Sequence, residues 1–291
     1  MKKAVLGILK ANGYKINREN RKLYRSMYSE LFNYNSIINK RFYNIGAGGF
    51  SHEFWTNIDY DSSWYSKNSK HTKMGISHDL MSLKELPIKD SVAEVLYTSH
   101  TIEHITNKAC IKLFSECYRI LKQGGFLRIT APNIDLSYRA FADNDINYYY
   151  WASNYRNKRR YKQTNSQKHT KDFSIEQLFL SHFATNISEY GMNREGYHMS
   201  DDEFRNTFIE LEYEAALDHI TSKCSLEKQK ALPGEHINWW NNDKLIAFLK
   251  NAGFTNVYLS GYGQSYCPIL RDTSQFDSTH PKLSLYVEAI K

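Results

Sequence analysis

The sequence predicts an α/β fold, a parallel sheet with crossover helices that is interrupted by a mainly helical insertion. Three observations carry that expectation. Short β-prone runs alternate with stretches of helical spacing from Phe42 to Pro132. The alternation stops between Asp135 and Leu232, where capping signals and amphipathic runs dominate. It resumes from Asn242 to the C-terminus.

Each element follows from its residues. The first forty residues, 1–40, read as a basic helical segment. Phe42-Tyr43-Asn44-Ile45 is a β-prone run that stops at Gly46-Ala47-Gly48-Gly49. Thr56-Asn57-Ile58 is a second, ending at Asp59, and Val92 to Ser99 is a longer third. Lys108 to Lys122 has helical spacing with Phe114, Cys117 and Leu121 on one face. Gly124-Gly125 is expected to stop that helix, since glycine tolerates the left-handed C′ conformation. Phe126 to Thr130 is the next strand, ended by Pro132. Two capping boxes, Ser174-x-x-Gln177 and Ser200-x-x-Glu203, open amphipathic runs, the first expected to close at Gly191. Asn242 to Asn251 is a helix closed by Gly253, Phe254 to Leu259 a strand, and Leu283, Leu285, Val287 and Ala289 alternate in a final strand. The predicted organisation is therefore 1–40, a first half of the α/β core over 41–134, a helical insertion over 135–232, and the rest of the core over 233–291.

Composition narrows the function classes. The chain has 291 residues, 41% hydrophobic and 24% charged, as an ordinary globular protein does. Its formal net charge of +7 fits an anionic partner or a mildly basic solvated surface. No zinc finger, RNP sequence or basic zipper is visible, so no nucleic-acid partner is expected. No segment approaches the ~20 apolar residues that span a bilayer. Cys110, Cys117, Cys224 and Cys267 form no metal-binding spacing. Their usage fits a reducing cytoplasm, and no metal centre is expected. Tyr118-x-x-x-Lys122 spells a short-chain dehydrogenase pair, but with 22 tyrosines in the chain such a match arises by chance.

The Gly46-Ala47-Gly48 loop after a strand invites a cofactor. The first glycine permits a tight turn and the second lets a ligand approach bare backbone. A dinucleotide fingerprint would need glycine at position 51, where Ser51 stands. Asp59 and Asp79 follow successive strand candidates. As ligand contacts, Asp59 would accept from ribose hydroxyls and Asp79 would meet an adenine amino group; otherwise they serve as turn or helix caps. Two carboxylates in this order suit an adenosine with a sulfonium cation, S-adenosylmethionine (SAM), and suit a pyrophosphate poorly.

These segments resemble the class I SAM-dependent methyltransferases, within them the type 11 branch. The resemblance rests on Tyr43 to Gly49, Asn57-Ile58-Asp59 and His78-Asp79-Leu80. It rests further on Leu86-Pro87-Ile88-Lys89-Asp90-Ser91-Val92, Ser99-His100-Thr101-Ile102-Glu103-His104 and Glu116 to Gly125. It runs from Phe42 to Asn133 and returns faintly from His236. It implies a Rossmann-like sheet with SAM as cofactor. It implies that Gly46, Ala47 and Gly48 line the methionine part, Asp59 the ribose, and Asp79 with Leu80 the adenine. Asn44, Tyr60 and Ser99 join the expected cofactor set. Asn44 stands where the family usually has an acid, Phe50 where it has a third glycine, and the short span from Gly46 to Asp59 predicts a short or irregular first crossover.

His100, Glu103 and His104 spell H-x-x-E-H, the inverted zincin motif, which on a helix would place all three on one face. A zinc peptidase needs a long helix there and a third ligand. Behind a strand end, His100 is better read as a general base for methyl transfer to a hydroxyl, with Glu103 or His104 orienting it or binding substrate. His236 is expected at the pocket mouth. The alternative is that these residues only position the turn. Tyr148 to Trp151 and the basic stretch from Arg156 to Lys162 would suit a nucleotide-linked or phosphorylated sugar, or form a packed helix and a solvated loop. Gln167 to Asp172 is polar enough for a lid. The expected reaction is O-methylation of a sugar or surface-polysaccharide precursor. The competing readings are methylation of another small molecule at oxygen or nitrogen, and a SAM-binding scaffold without turnover.

Overall fold

The computed structural model describes residues 18–61, 75–149, 173–190 and 196–291. Helices α1 (Arg18–Leu31) and α2 (Tyr34–Ile38) precede the sheet. Strands β1 (Phe42–Ile45), β2 (Trp55–Asp59), β3 (Ile76–Ser77) and β4 (Ala93–Ser99) follow. Then come helix α3 (Asn107–Ile120), strand β5 (Leu121–Pro132) and helix α4 (Ile134–Ala142). Helices α5 (Ile175–Phe183), α6 (Asp201–Glu210), α7 (Tyr213–Ser222) and α8 (Leu226–Ala231) come next, then α9 (Asn242–Asn251) and strands β6 (Asn256–Leu259) and β7 (Ser284–Ile290).

The strands form one sheet in the order β3-β2-β1-β4-β5-β7-β6. Pairs from β3 through β5 are parallel, and β7 runs antiparallel to both neighbours. The order reverses between β1 and β4, which opens a crevice at their carboxyl ends. The fold is thus the expected Rossmann-like one.

Both sheet faces are covered. On one, Leu113, Phe114, Cys117 and Ile120 of α3 meet Leu245 and Leu249 of α9, with Trp240 between. On the other, Tyr28 of α1 packs among Phe42, Trp55, Tyr97 and Phe276. Each fully buried side chain of this kind contributes about 1.5–3 kcal/mol. The described residues between β5 and β6 add helices rather than strands. Their core is a separate apolar cluster built on Phe179, Phe183, Phe204 and Leu217. Ser174 and Ser200 accept from the Gln177 and Glu203 amides, as the capping signals predict.

Two local expectations, the ends of helices α3 and α5, are corrected. Helix α3 ends at Ile120, and Leu121 already pairs with Ala93 in the sheet. Lys122 reaches Glu94 and Ser36, so sheet pairing overrides the helical spacing, and Gly124 (φ +77°) lies inside β5. Helix α5 closes at Phe183, where Ser181 and Thr185 hydroxyls turn back onto backbone carbonyls; Gly191 lies outside the described residues. Tyr118 packs edge-on against Phe254, with no dehydrogenase-like site beside it. The span from Gly46 to Phe54 contains no helix, as the short spacing implied.

Two charged networks brace the scaffold. Arg119 donates to the Leu86 and Ile88 carbonyls and pairs with Glu116 and Asp90, which fixes the loop before β4. Arg128 of β5 is fully buried. It pairs with Asp277 and Glu288 at 2.5 and 2.6 Å and donates to the Gly261 and Gln264 carbonyls.

Candidate active site

A cavity of about 1340 Å³ lies where the strand order reverses. That exceeds the ~300–1,000 Å³ usual for one small-molecule site, leaving room for a cofactor and an acceptor together. Asn44, Gly46, Ala47, Gly48, Asp59, Tyr60, Asp79, Leu80 and Ser99 all line it, and so do His100, Glu103, His104 and His236.

The glycine end is built by β1 and β2. Gly46 has φ +68° and Gly48 φ +52°, the left-handed region that favours glycine. At Gly46 an added Cβ would lie 2.1 Å from Thr101 Oγ1, so the loop and the β4 turn touch backbone to side chain. At Gly48 it would meet nothing within 4 Å, leaving bare backbone beside the cavity. Asp59 accepts from the Gly48 and Tyr60 amides at 2.6 and 2.7 Å, which holds the loop over the strand end. Asp79 caps the 3₁₀ turn Leu80–Ser82 by accepting from Met81 N. Both aspartates therefore do the capping work foreseen for them, while each still faces the cavity. Buried Asn44 keeps Oδ1 without a hydrogen-bond partner, next to the loop. Bare loop backbone, flanking carboxylates and an unsatisfied amide oxygen together fit the polar adenosine and amino-acid parts of SAM. Ser99 is engaged with Thr130 at 2.8 Å.

The histidine end is not the helix that H-x-x-E-H would need. His100 has φ +53° and is followed by a single 3₁₀ turn, Ile102–His104. That geometry removes the two-histidine helical face of an inverted zincin. Instead His100 Nδ1 lies 3.2 Å from the Glu103 carboxylate and His100 Nε2 lies 2.8 Å from Ser284 Oγ. A carboxylate only accepts, so the Nδ1 that faces it carries a hydrogen, while Nε2 meets a Ser284 hydroxyl that also faces the His280 carbonyl at 2.9 Å. Burial opposes ionisation of Glu103, but His100, His104 and His236 outweigh it and hold its carboxyl well below the usual range.

His104 and His236 stack edge to face with centroids 4.7 Å apart. His236 sits in the segment between α8 and α9, tied down by Ile237 N donating to Glu103 O at 2.9 Å. Burial keeps His236 and His182 neutral, the latter lowered to about 3. His182, His280 and Ser284 were not foreseen in the sequence: α5 and the loop after Asp277 carry the two histidines to the cavity, and the start of β7 sets Ser284 against His100. Tyr150, Trp151, the stretch from Arg156 to Lys162 and the suggested lid from Gln167 to Asp172 lie outside the described residues.

Comparison with known proteins agrees with this geometry. Residues 46–129 match the family model of a methyltransferase domain. A probable S-adenosylmethionine-dependent methyltransferase of Mycolicibacterium smegmatis is 31% identical over 77 residues, 26% of this chain and 28% of the relative. The match thus spans little more than a quarter of the curated relative's length. Among solved structures, a SAM-dependent methyltransferase from Archaeoglobus fulgidus aligns at 13% identity over 93% of this chain and 94% of that one, with a TM-score of 0.38. One from Mesorhizobium loti aligns at 12% identity over 86% and 90%, also at 0.38. At that TM-score neither adds to the fold assignment, which rests on strand order. The matched segment, with the Gly46 loop and the carboxylates at the ends of its strands, is thus similar to a methyltransferase domain.

Proposed function

We propose that this chain is a SAM-dependent methyltransferase that acts on a hydroxyl of a small-molecule acceptor, a sugar or surface-polysaccharide precursor. One observation carries the reading: a single cavity joins the Gly46–Gly48 loop to His100, whose ring stands between the Glu103 carboxylate and Ser284. SAM bound at the loop supplies a methyl group on a sulfonium, an electrophile that needs a nucleophile lined up behind it in a dry site.

The chain's residues supply the rest. Asp59 and Asp79 hold the adenosine end, and the unpartnered Asn44 oxygen faces the amino-acid end. The acceptor hydroxyl takes the place of Ser284 at His100 Nε2 and gives its proton there, while Glu103 fixes the ring and balances the charge that forms. Helices α5 and α8 and the segment around His236 cap the acceptor end, and the insertion is read as a substrate cap. Serine, threonine and histidine side chains along the wall offer partners for the hydroxyls of a carbohydrate. Four free cysteines suit a reducing cytoplasm, and among the described residues no helix is long and apolar enough to cross a membrane.

The test is formation of S-adenosylhomocysteine by the purified chain with a panel of nucleotide-linked and phosphorylated sugars. His100→Gln is expected to lower kcat by about 100-fold or more, the scale of general-base loss, with affinity for S-adenosylhomocysteine unchanged. Full activity in His100→Gln would remove the base assignment. Absence of turnover with every hydroxyl acceptor would favour the scaffold.

A further inference from the structure

Glu103, His104 and His236 form a cluster that methyl transfer to a simple acceptor does not require. One donor atom from each lies within 4.8 Å of the other two. His104 Nδ1 lies 3.1 Å from the Glu235 carbonyl and His236 Nδ1 lies 2.8 Å from the His182 carbonyl. A carbonyl only accepts, so both rings carry hydrogen on Nδ1, and the lone pair of the neutral ring lies on Nε2. That is how metal-binding imidazoles are commonly prepared: the outer nitrogen donates to backbone, which sets tautomer and ring orientation. Gln229 braces the arrangement by donating to the Glu235 carbonyl at 2.8 Å and to the His104 carbonyl at 3.0 Å.

Glu103 completes the set. Its side chain is 1% exposed, and neither carboxylate oxygen has a conventional hydrogen-bond partner. Oε1 stands 3.2 Å from His100 Nδ1 and 3.9 Å from His104 Nε2. A buried carboxylate so thinly partnered is costly unless a cation completes it. Tetrahedral zinc with ligands at about 2.0–2.1 Å needs donors about 3.3 Å apart, so the three side chains must draw together from the 3.9 Å of the Glu103–His104 pair and the 4.8 Å limit of the cluster.

We infer that Glu103, His104 and His236 bind one divalent first-row transition metal ion, with Zn²⁺ the best-suited probe. Two imidazoles with one carboxylate select zinc, iron or manganese over magnesium and calcium, which prefer oxygen donors. Three protein ligands leave at least one coordination position, and the cluster lines the cavity, so that position is open to an acceptor oxygen. Metal binding itself stands independently of the methyltransferase reading; the acceptor-oxygen role rests on it. In that role the ion holds the hydroxyl in line and lowers its pKa, while His100, beside Glu103 but outside the ligand set, remains free to take the proton.

The experiment is calorimetric titration of the tag-free, chelator-stripped full chain with Zn²⁺, in parallel with S-adenosylhomocysteine. One Zn²⁺ per chain is expected, undisturbed by millimolar Mg²⁺. Glu103→Gln and His236→Ala should each weaken it by about 100-fold or more, while substitution of exposed His219 by Ala leaves it unchanged. Co²⁺ loaded into the wild type should give visible d–d absorption that both variants lose. Circular dichroism and S-adenosylhomocysteine binding report whether each variant has folded. No stoichiometric Zn²⁺ in the wild type, or Zn²⁺ bound equally well by folded Glu103→Gln and His236→Ala, overturns the site. Zinc lost with S-adenosylhomocysteine retained sinks only the metal; S-adenosylhomocysteine lost with zinc retained sinks only the methyltransferase reading.

Discussion

Replacing Gly46 with alanine tests the glycine loop most sharply, because its effect is worked from two separable causes. The residue sits at φ +68°, and the left-handed conformation costs a non-glycine residue about 1–2 kcal/mol. The added carbon would also lie 2.1, 2.5 and 2.8 Å from Thr101 Oγ1, Cγ2 and Cβ. Rotating the threonine does not help, since its own Cβ is among the atoms struck. The backbone from His100 to Ile102 has to move, which adds about 1–3 kcal/mol of overpacking. A total of about 2–5 kcal/mol lowers Tm by roughly 3–8 °C in a chain of this size. It also shifts His100 and the loop that faces SAM. Gly48→Ala is the internal control: φ +52° imposes similar strain, but the new carbon meets nothing within 4 Å. Scanning calorimetry and titration with S-adenosylhomocysteine should therefore show a much larger loss of stability for Gly46→Ala. Equal Tm shifts in the two variants, or a Gly46→Ala chain as stable as wild type, would refute the collision.

Three further outcomes follow from the structure. Asp59→Asn keeps shape but weakens charge-assisted hydrogen bonds, so affinity for S-adenosylhomocysteine should fall by about 10–100-fold in titration with little change in fold. Asp277→Asn leaves Arg128 buried with half its counter-charge, and chemical denaturation should show a loss of about 3 kcal/mol or more. Asparagine tolerates the φ of +56° there, so backbone strain is not the cause. Burial lowers Lys244 to about 8 against the pull of Asp218, Cys110 and Glu214, so the folded chain releases this proton before the unfolded chain does. Stability relative to Lys244→Met should thus rise with pH between about 8 and 10.5, by about 1 kcal/mol from pH 8 to 9, and stay flat below that window. A difference that falls with pH in denaturation curves would contradict the assignment.

What the sequence made legible was mostly local. Strand β1, its arrest at Gly46, strand β2 ending at Asp59 and the two serine caps are each set by neighbouring residues, and the structure has them all. The misreadings come from tertiary contacts. Leu121 and Lys122 continue a helical pattern, yet β4 offers Ala93 as a partner and Glu94 as a counter-ion, so they become strand. The segment at His100 has helical spacing, but it sits at a switch point where the chain must turn sharply, and His100 takes a left-handed conformation to do so. His182, His280 and Ser284 carry no motif. Only the packing of the insertion and of β7 against the sheet brings them to His100 and Glu103. For the same reason spacing along the chain does not disclose the His104–His236 pair, which is separated by the whole insertion.

The guanidinium of Arg128 has a mechanical consequence. It fastens the stretch from Gly261 to Asp277 to the central strands through carbonyls and carboxylates at once. Residues just beyond, Ser278 to His280, form one rim of the cavity. The base of that rim is therefore anchored to the central strands, and the bonded amides of Phe276 and Asp277 should exchange slowly while the exposed Ser278 and Thr279 exchange fast.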